Sequence, residues 1–217
     1  MNNLIKRITK FNDELYSKEK IRFDNKEKSF FAIKGKIPVI LSAPHSVKQL
    51  REGKIKEAEN QTGAIVSILA EKTGCFAIYK TYNNQDDANY DIENNEYKEE
   101  IKHIVKENNI KLLLDIHGAR DEYNFDIDLG TAYGENINNN TEILEKLKSY
   151  LKKNKIENVT ENKTFKADSI RTISKYINEE TKIPCIQLEI SWKYRDLNNL
   201  DNVKRLIKAL EEFILNF

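Results

Sequence analysis

The apolar run LLLDIHG at residues 112–118 decides the fold of this chain. Its leucines and isoleucine are interrupted by one polar residue, Asp115, before the run ends at His117 and Gly118. Short apolar runs of this kind are typical of strands that are buried on both faces of a parallel sheet. In open α/β sheets, ligands bind outside the carboxyl ends of the strands. The run therefore places His117 where chemistry usually takes place.

Two other runs have the same form. Residues 38–45, with the sequence PVILSAPH, end at His45, and residues 183–189, with the sequence IPCIQLE, end at Glu189. The carboxyl ends of parallel strands meet at one edge of a sheet, so we expect two histidines and a glutamate to lie together there.

Helical patterns separate these strands. Apolar residues recur at helical spacing in residues 62–73, 97–108, 143–151, 170–177 and 199–214, and Gly74 is a natural end for the first of these helices. Alternation of helix, short link and apolar strand predicts an α/β fold with right-handed crossovers. We expect one domain that spans residues 1–217.

The remaining segments are less strongly patterned. We expect a short helix in residues 1–20, a hairpin or edge strands in 21–36, a loop at 46–58 and a half-buried strand at 125–130. Thr141 is the expected cap of one later helix, and Asp168 or Ser169 the cap of the next.

Composition excludes several classes of function. The net charge of +1 over 217 residues gives no broad electrostatic case for binding nucleic acid. No apolar run approaches the roughly 20 residues that a membrane helix needs, and no signal peptide is apparent. Two cysteines, Cys75 and Cys185, do not make a disulfide framework and are expected to be buried free thiols. We therefore expect a cytoplasmic protein that acts on a small molecule.

The histidines indicate a metal site. Of the three in the chain, His103 lies in a predicted amphipathic helix and is expected at its surface, whereas His45 and His117 end apolar strands. Two imidazoles and a carboxylate are a common ligand set for zinc that leaves the fourth position to water, although manganese or iron accept similar ligands. The third ligand could be any of the glutamates that follow His45, namely Glu52, Glu57 and Glu59. Glu189 could then be the general base.

Five short elements carry a resemblance to a known family. They are SAPHS at 42–46, Glu59 just before Thr62-Gly63, DAN at 87–89, DIHGA at 115–119 and QLEI at 187–190. In this combination the chain resembles the N-formylglutamate amidohydrolase family, which is similar in turn to the zinc carboxypeptidases and aspartoacylases. The resemblance extends from about residue 37 to residue 195.

The resemblance implies a three-layer αβα sandwich with a mixed, mainly parallel sheet, a zinc ion and hydrolysis of an amide bond. His45, Glu59 and His117 would hold the metal, with Glu57 as the alternative third ligand, and Glu189 would take the proton of the attacking water. Asp115 points to the same side of its strand as His117 and either orients an imidazole or caps a neighbouring loop. Asp87 would support the metal ligands, and Asn89 would contact the substrate.

The chain departs from the family pattern at Tyr90. The family has an arginine there that holds a substrate carboxylate, so that pairing is lost and formylglutamate itself is disfavoured as substrate. Arg171 and Arg195 are the predicted replacements, with Arg51 and Arg120 also available.

Two other functions are compatible with the sequence. A non-catalytic binding protein on the same scaffold would need the pocket but not Glu189. A serine hydrolase could use Ser46 or Ser191, although the chain has no Gly-x-Ser-x-Gly element.

Overall fold

The computed structural model describes residues 3–16, 28–93 and 95–217. Seven strands in these residues form one sheet, and two short strands form a separate hairpin. The strands are β1 (Phe30–Ile33), β2 (Ile37–Ala43), β3 (Gln49–Arg51), β4 (Lys54–Lys56), β5 (Cys75–Lys80), β6 (Leu112–Ala119), β7 (Ile127–Gly130), β8 (Val159–Glu161) and β9 (Cys185–Ser191).

Helices cover both faces of the large sheet. The α-helices in the described residues are α1 (Asn3–Tyr16), α2 (Thr62–Thr73), α3 (Glu96–Glu107), α4 (Thr141–Lys153), α5 (Ile173–Thr181) and α6 (Leu200–Leu215). Helices α1, α2, α4 and α6 share one buried apolar cluster with the sheet, and α3 and α5 share the other. The result is three layers, helix on sheet on helix.

The sheet is mixed and mainly parallel. Its order is β1-β5-β2-β6-β9-β7-β8, and the four central strands β5, β2, β6 and β9 run parallel. Strands β1 and β7 are antiparallel to β5 and β9, and β8 is parallel to β7. The αβα sandwich expected from the sequence is therefore confirmed. The carboxyl ends of β2, β6 and β9 are neighbours, which brings the three apolar runs to one edge of the sheet.

Side-chain alternation decides which face each polar residue of these strands occupies. Leu112, Leu114 and Ile116 pack in the cluster with α2 and α6, and Leu113 packs in the cluster with α3 and α5. Asp115 and His117 alternate with the first group, so they lie on the face that α3 and α5 cover.

Several local expectations are confirmed. Helix α2 ends at Gly74, which takes the left-handed conformation that favours glycine. Cys75 and Cys185 are buried free thiols, and His103 is exposed on α3. No helix in the described part of the chain is long and apolar enough to cross a membrane.

Other local expectations are wrong or need correction. Residues 46–58 are not only loop, because β3 and β4 pair through a turn at Glu52 and Gly53, both of which have positive φ. Strand β7 is buried on both faces rather than half-buried, because Asp128 accepts hydrogen bonds from the segment that covers it. The expected edge strand in 21–36 is β1; residues 21–27 lie outside the described part.

One helix begins a residue earlier than the sequence indicates, and another begins later. Asn140 is the residue that precedes α4, so Thr141 is already helical. Thr172 caps α5 by accepting a hydrogen bond from Lys175 N–H, whereas Ser169 accepts hydrogen bonds at its carbonyl from the turn before the helix.

Candidate metal centre and catalytic cleft

Three side chains converge at the carboxyl edge of the sheet. Nδ1 of His45 lies 2.7 Å from Oε1 of Glu59, and Nδ1 of His117 lies 3.1 Å from Oε2 of the same carboxylate. One ligand atom from each of the three residues lies within 4.8 Å of the others. The imidazole rings are almost perpendicular, with centroids 4.8 Å apart. Two histidine nitrogens and a carboxylate thus face one common point.

Glu59 is held firmly although it lies on a connecting segment. Its backbone N–H donates to the carbonyl of His45 at 2.9 Å, and the Thr62 hydroxyl donates to its carbonyl at 2.8 Å. Oε2 of its carboxylate accepts the backbone N–H of Gly118 at 2.8 Å. The start of α2 and the end of β6 therefore fix the glutamate from both sides.

A buried carboxylate holds the outer nitrogen of each imidazole. Nε2 of His45 is 2.9 Å from Oδ1 of Asp87, and Nε2 of His117 is 3.1 Å from Oδ2 of Asp115. Both aspartates are fully buried. A carboxylate in this position orients the ring and makes the inner nitrogen more basic, as in many metal sites. The structure thus favours the interpretation of Asp115 as a residue that orients an imidazole.

The electrostatics of the centre are dominated by these pairs. Burial lowers the pKa of His45, but Glu59 and Asp87 outweigh it and raise that pKa to about 9. Burial also opposes protonation of His117, yet Asp115 and Glu59 raise its pKa well above the usual value. The pKa of Glu59 is lowered, because the two imidazoles outweigh the effect of burial. Without a metal, the centre is therefore held by ion pairs.

The donor set fits a divalent metal. The inner donors are two imidazole nitrogens and a carboxylate, the residue types of a common catalytic zinc site with three protein ligands. Both imidazoles also have the outer carboxylate partner that such sites use. A cation in the centre would take the place of the inner imidazole protons and would satisfy the same carboxylate.

Glu189 lies beside this centre without belonging to it. Its Cα is the direct partner of His117 across β6 and β9, so the two side chains share a face of the sheet. Nε2 of Gln187 donates to Oε1 of Glu189 at 3.0 Å. Burial raises the pKa of Glu189 to about 7, although the nearby histidines oppose this shift. A carboxylate with such a pKa can accept and return a proton near neutral pH.

Arg195 holds backbone segments next to the metal centre through hydrogen bonds to their carbonyl groups. Its guanidinium is buried and donates to the carbonyls of Ile190, Ala119 and Asn60 at distances of 2.7 to 3.0 Å. Gly118 makes this possible, because a Cβ there would come within 2.5 Å of the guanidinium carbon. Since Asn60 follows Glu59, the arginine braces the segment that carries the third donor. Its predicted contact with substrate stays a prediction.

The structure gives the Tyr90 position an unexpected environment. The guanidinium carbons of Arg51 and Arg171 lie 4.7 and 4.3 Å from the centre of the Tyr90 ring. Arg51 also donates from Nε to Oδ2 of Asp87 at 2.7 Å. Two arginines from distant segments therefore bring positive charge to the position where the resemblance led us to expect an arginine. Asn89 contributes indirectly, since its Oδ1 accepts the first helical N–H of α5, that of Ile173.

The other sequence candidates lie apart from the centre. Glu57 is exposed and pairs with Lys48 at 3.5 Å, and Glu52 accepts a hydrogen bond from the Tyr90 hydroxyl. The Ser46 hydroxyl donates to the carbonyls of Ala43 and Lys80. Ser191 donates to Asp121 rather than to a histidine. Glu59 is thus the glutamate that the structure brings to the two imidazoles.

Gln187 is the site residue that the sequence interpretation missed. It lies two residues before Glu189, so both side chains point to the same face of β9. The i, i+2 relation that identified Asp115 beside His117 applies equally to this pair.

A cleft of about 1060 Å³ opens over the centre. Its base includes the donor residues His45, Glu59 and His117 together with Glu189. More of its walls are basic than acidic, and the basic residues are Arg51, Lys56, Arg120, Lys166, Arg171 and Arg195. Such a cleft favours an anionic ligand.

Comparison with known proteins places the fold. No family model matches the chain, and no curated protein sequence matches it. A gene product from Agrobacterium tumefaciens, Atu2144, superposes with a TM-score of 0.64 at 12% identity, over 86% of this chain and 92% of that one. N-formylglutamate amidohydrolase from Ralstonia eutropha JMP134 has a TM-score of 0.60 at 13% identity, over 88% and 97%.

A third solved structure has the same fold. Succinylglutamate desuccinylase from Chromobacterium violaceum has a TM-score of 0.57 at 14% identity, over 95% of this chain and 76% of that one. The resemblance seen in the sequence is thus confirmed for the fold. At these identities, the comparison shows that the chain shares this fold and leaves its reaction to be argued from the site.

Proposed function

We propose that the chain is a metal-dependent amidohydrolase of the N-formylglutamate amidohydrolase family, with zinc as its metal. One observation carries the proposal. His45, Glu59 and His117 converge at the edge of the sheet, each imidazole is backed by a buried carboxylate, and Glu189 lies beside them in register with His117. The solved structures with this fold include an amidohydrolase and a desuccinylase, which supports the same class of reaction.

The residues divide the work of hydrolysis. A divalent metal bound by the three donors would polarise the amide carbonyl and lower the pKa of a water molecule. Glu189 takes the proton of the attacking water and delivers it to the leaving nitrogen. Gln187 keeps the carboxylate in place through its hydrogen bond. Asp87 and Asp115 keep both imidazoles in the orientation that binds metal.

The substrate is an N-acyl amino acid or a small peptide-like amide. Arg171 and Arg51, which both lie against the Tyr90 ring, offer positive charge for a carboxylate of the substrate. The two named neighbours act on N-acyl derivatives of glutamate according to their names, and an acidic substrate agrees with the basic walls of the cleft.

Substitution of Glu189 separates an enzyme from a binding protein. Glu189→Gln is expected to keep the fold and the metal and to lower turnover of an N-acyl amino acid by about 10²- to 10⁴-fold, the usual contribution of a general base. Glu57→Gln, an exposed glutamate at the rim of the same cleft, is the matched control and should keep full turnover. Turnover in Glu189→Gln close to that of the wild type would refute the role of this residue. A wild-type protein that binds metal but cleaves none of a broad panel would favour the binding protein.

A further inference from the structure

Two partly exposed aromatic rings form one wall of the cleft. Tyr123 and Phe165 both line it, and their ring centroids lie 5.1 Å apart in an edge-to-face arrangement. Phe125 lies buried behind them and contacts both, at 6.1 Å from Tyr123 and 6.2 Å from Phe165. Tyr123 keeps 36% of its surface exposed. Exposed rings on such a support are ready to pack against a ligand.

Phe165 is anchored to the strand beside Glu189. The backbone N–H groups of Thr164 and Phe165 donate to Oδ2 of Asp128 at 2.8 and 2.9 Å. Asp128 on β7 is the direct cross-strand partner of Glu189 on β9. Directly paired residues of antiparallel strands point to the same face of a sheet. The segment that carries Phe165 therefore crosses the sheet next to Glu189.

Two further contacts keep this wall in place. Gly130 lets the segment lie against β7, because a Cβ at this glycine would come within 2.5 Å of the Phe165 carbonyl. Tyr123 ends a short 3-10 helix, Asp121–Tyr123, and Asp121 accepts a hydrogen bond at 3.0 Å from the backbone N–H of Lys193, just after β9. Phe165 is thus fixed to β7, the neighbour of the strand that carries Glu189, and Tyr123 is fixed to the segment that follows that strand.

The aromatic pair Tyr123 and Phe165 lies at one end of a row of site residues along the edge of the sheet, and Arg51 and Arg171 lie at the other end. Across the edge of the sheet, β2 is followed by β6, β9 and β7, so His45, His117, Glu189 and Asp128 occur in that order. Arg51 bonds to Asp87, which holds His45, and this places the arginines beyond the first end. Phe165 bonds to Asp128 beyond the other end. A ligand that crosses these residues meets Arg51 and Arg171 on one side and the aromatic rings on the other, where Lys166 follows Phe165 in the chain.

We propose that Tyr123 and Phe165 form a subsite for an aromatic or bulky apolar group of the substrate, on the opposite side of the scissile amide from its carboxylate. This inference rests on the proposed function, because only hydrolysis defines a scissile amide. The subsite itself can be tested by binding alone. A formyl or acetyl group at the scissile amide would be too short to contact the two rings. The substrate class becomes N-acyl amino acids or peptides whose acyl side carries a large apolar group.

Binding of two simple acids to the zinc-loaded protein tests the subsite. Phenylacetate and acetate share a carboxylate that would bind at the metal, where the scissile carbonyl lies, and differ in the ring, so calorimetric titration of both isolates the contribution of the ring. We expect phenylacetate to bind about 10-fold more tightly than acetate, and Tyr123→Ala and Phe165→Ala each to remove most of this advantage. Phe31→Ala is the matched control, since Phe31 is 53% exposed on the edge strand β1, outside the cleft.

The outcomes separate the subsite from the proposed function. Equal affinity for the two acids in the wild type, or an unchanged advantage in both variants, would overturn the subsite even if acetylated amino acids are hydrolysed. A phenyl preference that both variants lose would support it even if no amide is cleaved. Melting temperatures are compared first. Should Phe165→Ala lose stability, Tyr123→Ala decides the matter, because its ring is the more exposed of the two.

Discussion

Replacing Asp115 by asparagine should weaken metal binding without disturbing the donor atoms. Oδ2 of Asp115 lies 3.1 Å from Nε2 of His117, and the aspartate is fully buried. Loss of an outer carboxylate of this kind typically costs 10- to 100-fold in metal affinity. That range corresponds to about 1.4 to 2.8 kcal/mol, and asparagine keeps the shape of the side chain.

The size of the effect should depend on pH. Asp115 also raises the pKa of His117, so the wild-type protein must release a proton when metal binds. Asparagine removes part of that competition, and the loss of affinity should therefore be smaller at pH 6.5 than at pH 8.5. Competition with a chelator of known zinc affinity, carried out at both pH values, measures the zinc affinity of the variant and of the wild type.

Asp128→Asn is the matched control, because Asp128 is an equally buried strand aspartate that bonds to the segment containing Thr164 and Phe165 rather than to a histidine. This variant should lose stability and keep its zinc affinity. If Asp115→Asn binds zinc as tightly as the wild type, or if Asp128→Asn shows the same loss, then Asp115 does not support the metal ligand.

Two further predictions concern stability. In the metal-free protein the pKa of His45 is raised to about 9, so the stabilisation that protonated His45 provides is fully present below its unfolded pKa of about 6.5 and is lost as the pH rises through 9. The difference in unfolding free energy between wild type and His45→Gln, measured by denaturant titration, should therefore shrink from pH 6 to pH 10. A difference that stays constant would contradict the ion pairs of His45. Thr172→Ala should lower the unfolding free energy by about 1 kcal/mol because Thr172 caps α5, whereas Asp168→Ala should have almost no effect. If thermal melts show a larger loss of stability in Asp168→Ala than in Thr172→Ala, the helix begins earlier.

The positions of His45, His117 and Glu189 could be predicted because strand exits are written locally in the sequence. Each follows an apolar run that is too short for a helix and fits a strand buried on both faces. Asp115 could be placed in the same way, since side chains two residues apart share a face of a strand. Parallel strands that end at one edge then bring these residues together.

The choice among the glutamates could not be made from spacing alone. Glu52, Glu57 and Glu59 all lie in a polar stretch, and a hairpin within it turns Glu52 and Glu57 away from the histidines. That hairpin depends on a turn in which Glu52 has a positive φ angle, a backbone conformation that residues other than glycine rarely adopt. The local sequence therefore favoured a loop.

The environment of Tyr90 could not be predicted either, because Arg51 and Arg171 are distant from it in the chain. The sequence shows only the loss of an arginine, whereas the fold stacks two arginines on the tyrosine ring. The aromatic wall could not be predicted for the same reason, since Tyr123 and Phe165 are distant in the chain and come together beside the ring of Phe125.

Metal content is the most direct test of the proposed centre. Elemental analysis of the purified wild-type chain, reconstituted with zinc and passed over a desalting column, should give one metal per chain. The His45→Ala, His117→Ala double variant should give none at neutral pH while Glu57→Gln keeps full occupancy. A double variant that retains one metal per chain, or a folded wild-type protein that retains none, would contradict a metal held by His45, Glu59 and His117.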